Sequence, residues 1–154
     1  MPTKTRRAGR KNAFSGVRVN ARLGEMERAG IGHLRKGNLQ EAEALFRRIL
    51  AAAPNDPHGL YLLGMVHFER REHERALELI RKSIERKPGD AIYHFHLGSL
   101  HEAMGQKEAA AQAYAKAISL QPGYFPPYVN LGILLFNGDF CREAEVLLRK
   151  AVEL

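Results

Sequence analysis

A frame of glycine, alanine and proline recurs along this chain at one fixed interval. Gly30, Gly64, Gly98 and Gly132 are 34 residues apart; so are Ala42, Ala76, Ala110 and Ala144, and so are Pro54, Pro88 and Pro122. This register limits the fold more than any other feature, because a period near 34 is that of a stacked helical array. In such an array each repeat buries its apolar face against its neighbours rather than in one central core.

Counting places from Leu23 gives four repeats, 23–56, 57–90, 91–124 and 125–154, with the glycine at place 8, the alanine at place 20 and the proline at place 32. Each reads as two helices. Asp56 is placed to cap a helix that Pro57 opens, and Asp90 to cap the next first helix. In repeat one, Gly37 and Asn38 end the first helix, and Asn38 with Glu41 three residues on reads as a capping box for the second. A glycine inside a helix costs about 0.5–1 kcal/mol relative to alanine. Bearing this cost at the same place in every repeat implies close approach of the two helices. The sequence reading sets the place-20 alanine against that glycine, with Leu63 and Ile80, Leu97 and Tyr114, and Leu131 and Leu148 filling the surroundings.

Charge separates the chain into two stretches. Residues 1–22 carry Lys4, Arg6, Arg7, Arg10, Lys11, Arg18 and Arg22 and no acid, whereas the rest holds 17 residues of each sign. A basic stretch so poor in large apolar residues reads as a disordered tail, with Ala13–Val19 as the one part able to dock. No run reaches the roughly 18 apolar residues of a transmembrane segment, and no apolar stretch follows the basic start as a secretory signal requires. The single cysteine, Cys141, excludes an internal disulfide and fits a reducing, cytoplasmic setting.

The pattern large-x-x-Leu-Gly-x-x-large, followed by Ala, an aromatic, Ala and Pro, resembles the tetratricopeptide repeat (TPR). It is clearest in His94, Leu97, Gly98, His101, Gly105, Ala110, Tyr114, Ala117 and Pro122. Repeat two departs at Arg71, where the family has glycine, and at Ser83, where it has a small apolar residue. Repeat four departs by a one-residue shift of its turn, Gly138-Asp139-Phe140. The resemblance implies an all-α fold, a right-handed α-solenoid of four helix-turn-helix units whose first helices line a concave groove with places 2, 5, 9, 12 and 13. On this chain those places include Ile31, Leu34 and Arg35 in repeat one, and His58 and Glu69 in repeat two. The expected partner-binding residues are Tyr61, Met65, Phe68, Phe95, Ser99, Glu102, Val129, Ile133 and Phe136, a mainly apolar and aromatic surface.

Two ligand patterns of the family do not carry over. The Lys and Asn set that grips a C-terminal carboxylate is missing, since place 5 is Glu27, Tyr61, Phe95 and Val129. Of the asparagine ladder seen in members with a glycosyltransferase domain, only Asn130 matches.

Chemistry beyond binding finds little support. His33, His67 and His101 share place 11, but adjacent repeats lie roughly 10 Å apart and a Zn–N bond is about 2 Å, so one ion cannot span them. Packed histidines and no metal are expected. No GxxxxGK[ST] or HExxH occurs, and Ala29-Gly30-Ile31-Gly32 lacks the strand and third glycine of a dinucleotide site. Nothing pairs a base with Cys141. No catalytic residue and no cofactor are expected.

The last helix presents Leu147, Leu148, Ala151, Val152 and Leu154 at helical spacing, with no polar capping helix after it. That face is expected either to continue into further repeats or to join two copies as a homodimer. The reading that follows is a non-catalytic scaffold holding an apolar or aromatic protein segment, peptide or helix. One alternative is the N-terminal substrate-docking arm of a larger glycosyltransferase, methyltransferase or sulfotransferase. The other is an adaptor touching nucleic acid or membrane through the basic tail. Nucleic acid is disfavoured, because the repeats themselves are charge-neutral.

Overall fold

In the computed structural model the backbone is described for residues 6–154 and side chains for residues 21–154. The tail reading therefore falls almost wholly outside the described side chains, and residues 1–5 lie outside the description. Eight helices and no strand occur among the described residues: α1 (Arg6–Arg35), α2 (Leu39–Ala52), α3 (Pro57–Glu69), α4 (His73–Arg86), α5 (Ala91–Ala103), α6 (Lys107–Leu120), α7 (Pro126–Phe136) and α8 (Cys141–Glu153). They pair as α1–α2, α3–α4, α5–α6 and α7–α8, the all-α repeat architecture expected. The described residues divide into two compact parts, one ending at Pro54 and the other spanning Asn55–Leu154.

The part spanning residues 55–154 holds three hairpins. Asp56 opens α3, its Oδ2 accepting from the Gly59 amide at 2.6 Å, with Pro57 in the first turn. Asp90 does the same for α5 through the Ile92 amide at 3.1 Å. Successive hairpins stack, α4 against α5 and α6 against α7.

Every hairpin is closed by the same turn. The residue at place 15 has a positive φ, 75° at Gly37, 61° at Arg71, 74° at Gly105 and 65° at Asp139. The place-16 amide then donates to the place-11 carbonyl, Asn38 to His33, Glu72 to His67, Gln106 to His101 and Phe140 to Leu135, at 2.8–3.0 Å. The shift expected in repeat four is therefore corrected: Asp139 itself takes the left-handed conformation, in register with the other turns, and Gly138 merely precedes it. The capping box at Asn38 is corrected too. Its side chain makes no cap bond, and its Nδ2 donates towards His33 Nδ1 at 3.5 Å instead.

The place-8 glycines lie under a side chain, not chiefly under the place-20 alanine. A Cβ built on Gly30 would come within 2.5 Å of the Phe46 ring, on Gly98 within 2.5 Å of Tyr114, on Gly132 within 2.8 Å of Leu148, and on Gly64 within 3.0 Å of Ile80. The covering residue is always at place 24, and Ala76 and Ala144 add only a carbonyl oxygen at 3.5 Å. Phe46, Ile80 and Tyr114 are fully buried in consequence. Ser83, fully buried where the family has an apolar residue, is satisfied by donating to the Ile80 carbonyl at 2.7 Å.

Candidate partner-binding face

Helices α5 and α7 touch, and each presents a row at i, i+4, i+7 spacing. The α5 row is Phe95, Ser99 and Glu102; the α7 row is Val129, Ile133 and Phe136. Phe95, Ser99 and Val129 are half-buried, Glu102 is exposed, and Ile133 and Phe136 are 46% and 60% exposed. Two apolar side chains this open, beside further half-buried ones, form a surface on which a partner's apolar groups could bury area.

A polar network ties the rows together. Tyr114, on α6, sends its hydroxyl up between them from a fully buried ring. The hydroxyl donates to Glu102 Oε2 at 2.6 Å and accepts from Asn130 Nδ2 at 3.1 Å, with Ser99 Oγ 3.4 Å away. Burial first, and then the bond to Glu102, push the phenol up to about 12, so it stays a donor at neutral pH. Tyr114 and Asn130 were not among the residues expected to bind. The signal was available: an aromatic hydroxyl at place 24 lies within reach of places 6, 9 and 12 of the packed helices.

On α3 the expected set splits. Phe68 is half-buried, but Tyr61 and Met65 are buried and present almost no surface. Tyr61 stacks on Tyr93 at 4.9 Å between ring centres and tilts against His96 at 5.4 Å. His96 meets Phe95 edge-on at 4.9 Å, and Phe95 meets Tyr124 at 5.6 Å. This ladder of rings joins α3 to α5 and makes Tyr61 a packing residue. Burial lowers His96 to about 4 and raises Tyr61, so both are neutral near pH 7.

The place-11 histidines face their own turns. His67 Nδ1 pairs with Glu72 Oε2 at 2.7 Å and His101 Nδ1 with Gln106 Oε1 at 2.6 Å. The His67 bond is the main cause holding Glu72 below the usual carboxylate range, helped by Arg75. No group of three or more His, Cys, Asp or Glu residues placed for a metal occurs among the described residues. Cys141 is exposed at the start of α8.

The expected self-association face is likewise divided. Leu148 covers Gly132, and Leu147 packs on the cluster formed by Ala110, Tyr114, Leu131 and Leu134. Ala151 is half-buried, while Val152 and Leu154 are 88% and 49% exposed. Beside them opens a cleft of about 620 Å³ lined by Phe136, Ala144, Leu148 and Val152, with Glu145 and Arg149 at its rim. No described helix is long and apolar enough to cross a membrane.

The family model of the tetratricopeptide repeat matches residues 27–91 and 61–125. No curated protein matches the chain. Among solved structures, MamA from Desulfovibrio magneticus RS-1 is similar at a TM-score of 0.74 and 25% identity, over 86% of this chain and 75% of that one. A thermophilic TPR protein of Thermus thermophilus is similar at 0.77 and 24% identity, over 86% and 74%. An O-GlcNAc transferase of Thermobaculum terrenum is similar at 0.66 and 30% identity, over 74% of this chain but 23% of that one.

Proposed function

Because the chain belongs to the tetratricopeptide-repeat family, we propose that it is a non-catalytic cytoplasmic scaffold that holds an apolar or aromatic segment of a partner protein on the face shared by α5 and α7. The observation that carries this reading is the exposure of Ile133 and Phe136 one helical turn apart, beside half-buried Phe95 and Val129. An amphipathic helix or extended segment laid across them would cover all four. Phe68 extends the surface onto α3, whereas Tyr61 and Met65 support it from within. The test is selection of peptides from a displayed random library on the full chain. Apolar and aromatic enrichment, with binding lost in Ile133→Ser plus Phe136→Ser, supports the reading. Both positions are exposed, so circular dichroism of the variant should match wild type. Undiminished binding to the folded variant would remove this face from the account.

A second reading is favoured by one finding, the similarity to an O-GlcNAc transferase of which this chain matches 23%. On that reading the chain is the docking arm of a larger enzyme. Against it, the one asparagine that fits the ladder, Asn130, is turned to Tyr114. An immunoblot of the native protein decides: a band far above 17.3 kDa supports an arm, and a band at that mass rejects it. We assign the open end of α8, around Val152 and Leu154, to self-association.

A further inference from the structure

The partner-binding places of α3, α5 and α7 are uneven in charge. Places 2, 5, 9, 12 and 13 hold two carboxylates, Glu69 and Glu102, and neither lysine nor arginine. Glu69 is followed at once in the sequence by two cations, Arg70 and Arg71. Glu102 has no such neighbour along its helix, where Ser99, Leu100, His101, Ala103 and Met104 surround it. It is exposed, yet its carboxylate is not free to wander. Tyr114 holds Oε2 at 2.6 Å, and Tyr114 is itself fixed by a buried ring and by Asn130. Oε1 is left to accept from outside. A carboxylate that is pre-oriented loses little side-chain entropy on meeting a donor, and this separates it from an ordinary surface glutamate.

We propose that Glu102, oriented by Tyr114, selects a partner segment that carries a lysine or arginine next to its apolar anchors. The inference rests on the reading of the α5–α7 face given above and names the chemistry of what lies there: an amphipathic basic segment, its apolar residues against Phe95, Ile133 and Phe136 and its cation on Glu102. The same charge distribution disfavours other occupants. An acidic segment would bring like charges together, and a purely apolar one would desolvate Glu102 without compensation.

The test uses the peptides selected from the random library and synthetic variants of the tightest, with its basic residue changed to norleucine. On the full wild-type chain the basic peptide should bind about 5–10-fold more tightly than the norleucine form. Its advantage should shrink as salt is raised. In Glu102→Gln, which keeps an acceptor for Tyr114, the advantage should vanish while the norleucine peptide binds as before. In Tyr114→Phe the ratio of the two affinities should fall towards one. Loss of packing alone would weaken both peptides equally and leave the ratio intact. Peptides lost on Ile133→Ser plus Phe136→Ser but showing no basic preference, or a preference that survives Glu102→Gln, overturn this inference and leave the binding face standing. Peptides indifferent to the Ile133 and Phe136 changes overturn both.

Discussion

At the scale of single residues, the place-8 glycines are not equivalent, although they look so in the sequence. The Tyr114 ring lies 2.5 Å from where a Gly98 Cβ would be, and its hydroxyl is tied to Glu102 and Asn130, so it cannot swing aside without breaking that network. The Ile80 side chain stands 3.0 Å from the same point on Gly64 and has no polar tie. Gly98→Ala should therefore cost about 1–2 kcal/mol, overpacking outweighing the roughly 1 kcal/mol of helix propensity gained, whereas Gly64→Ala should be near neutral. Paired urea titrations measure the difference; equal effects would mean that Tyr114 is not held as described. Arg71 poses the opposite case. Its φ of 61° is a conformation that disfavours side chains by about 1–2 kcal/mol, and its side chain is exposed. Arg71→Gly should raise the melting temperature by a few degrees. Asp139→Gly should give a smaller gain, because Asp tolerates the left-handed region better. A lowered melting temperature in Arg71→Gly would show that the arginine makes a contact worth more than the strain.

At the scale of elements, the ladder of rings between α3 and α5 sets a pH dependence. His96, wedged between Tyr61 and Phe95, has its value lowered by burial from 6.5 to about 4. The folded chain thus keeps it neutral, while the unfolded chain takes up a proton as pH falls through about 6.5. Its contribution is intact above that pH and is lost on acidification down to about pH 4, with a slope of at most about 1.4 kcal/mol per pH unit. Urea midpoints at pH 7, 5.5 and 4.5 should fall less in His96→Gln than in wild type; parallel curves would mean that His96 is hydrated in the fold. The elements themselves were legible because glycine, proline and Asp caps recur with the period. Gly37 and Gly105 announce their turns, since a positive φ favours glycine. Arg71 and Asp139 do not, because there the bond from the place-16 amide to the place-11 carbonyl imposes the conformation whatever the side chain. The site was legible only in part for a similar reason. The groove places that the family resemblance implies, carried along by the period, put Ile133 and Phe136 on the proposed face. Periodicity does not say what lies over that face, so Tyr61 and Met65 read as surface although they are buried. It also takes no account of side-chain length, which is how the Tyr114 hydroxyl arrives beside Glu102.

At the scale of the molecule, the stacking rule that orders residues 55–154 has a consequence at α8. The second helix of each preceding hairpin in that part is covered by the next first helix, α4 by α5 and α6 by α7. α8 is the last helix of this sequence; on it Val146 and Val152 stand 68% and 88% exposed and Leu154 after it 49%, and Val152 lines the 620 Å³ cleft. If two copies meet there, each gives the other the apolar cover that a following helix gives α4 and α6, and the contact is self-complementary. Light scattering on the purified chain should then report twice 17.3 kDa at micromolar concentration and fall towards 17.3 kDa on dilution. Val152→Glu should bring the mass to 17.3 kDa without changing the helical signal, because the side chain is open to solvent and supports nothing within its own chain. Phe136 lines that cleft as well as the α7 row, so two copies meeting there would compete with a peptide for it, and the Val152→Glu chain should bind peptide at least as tightly as wild type. A wild-type chain that stays at 17.3 kDa at every concentration would retire the self-association surface and move weight to the docking-arm reading, in which another part of a longer protein covers α8.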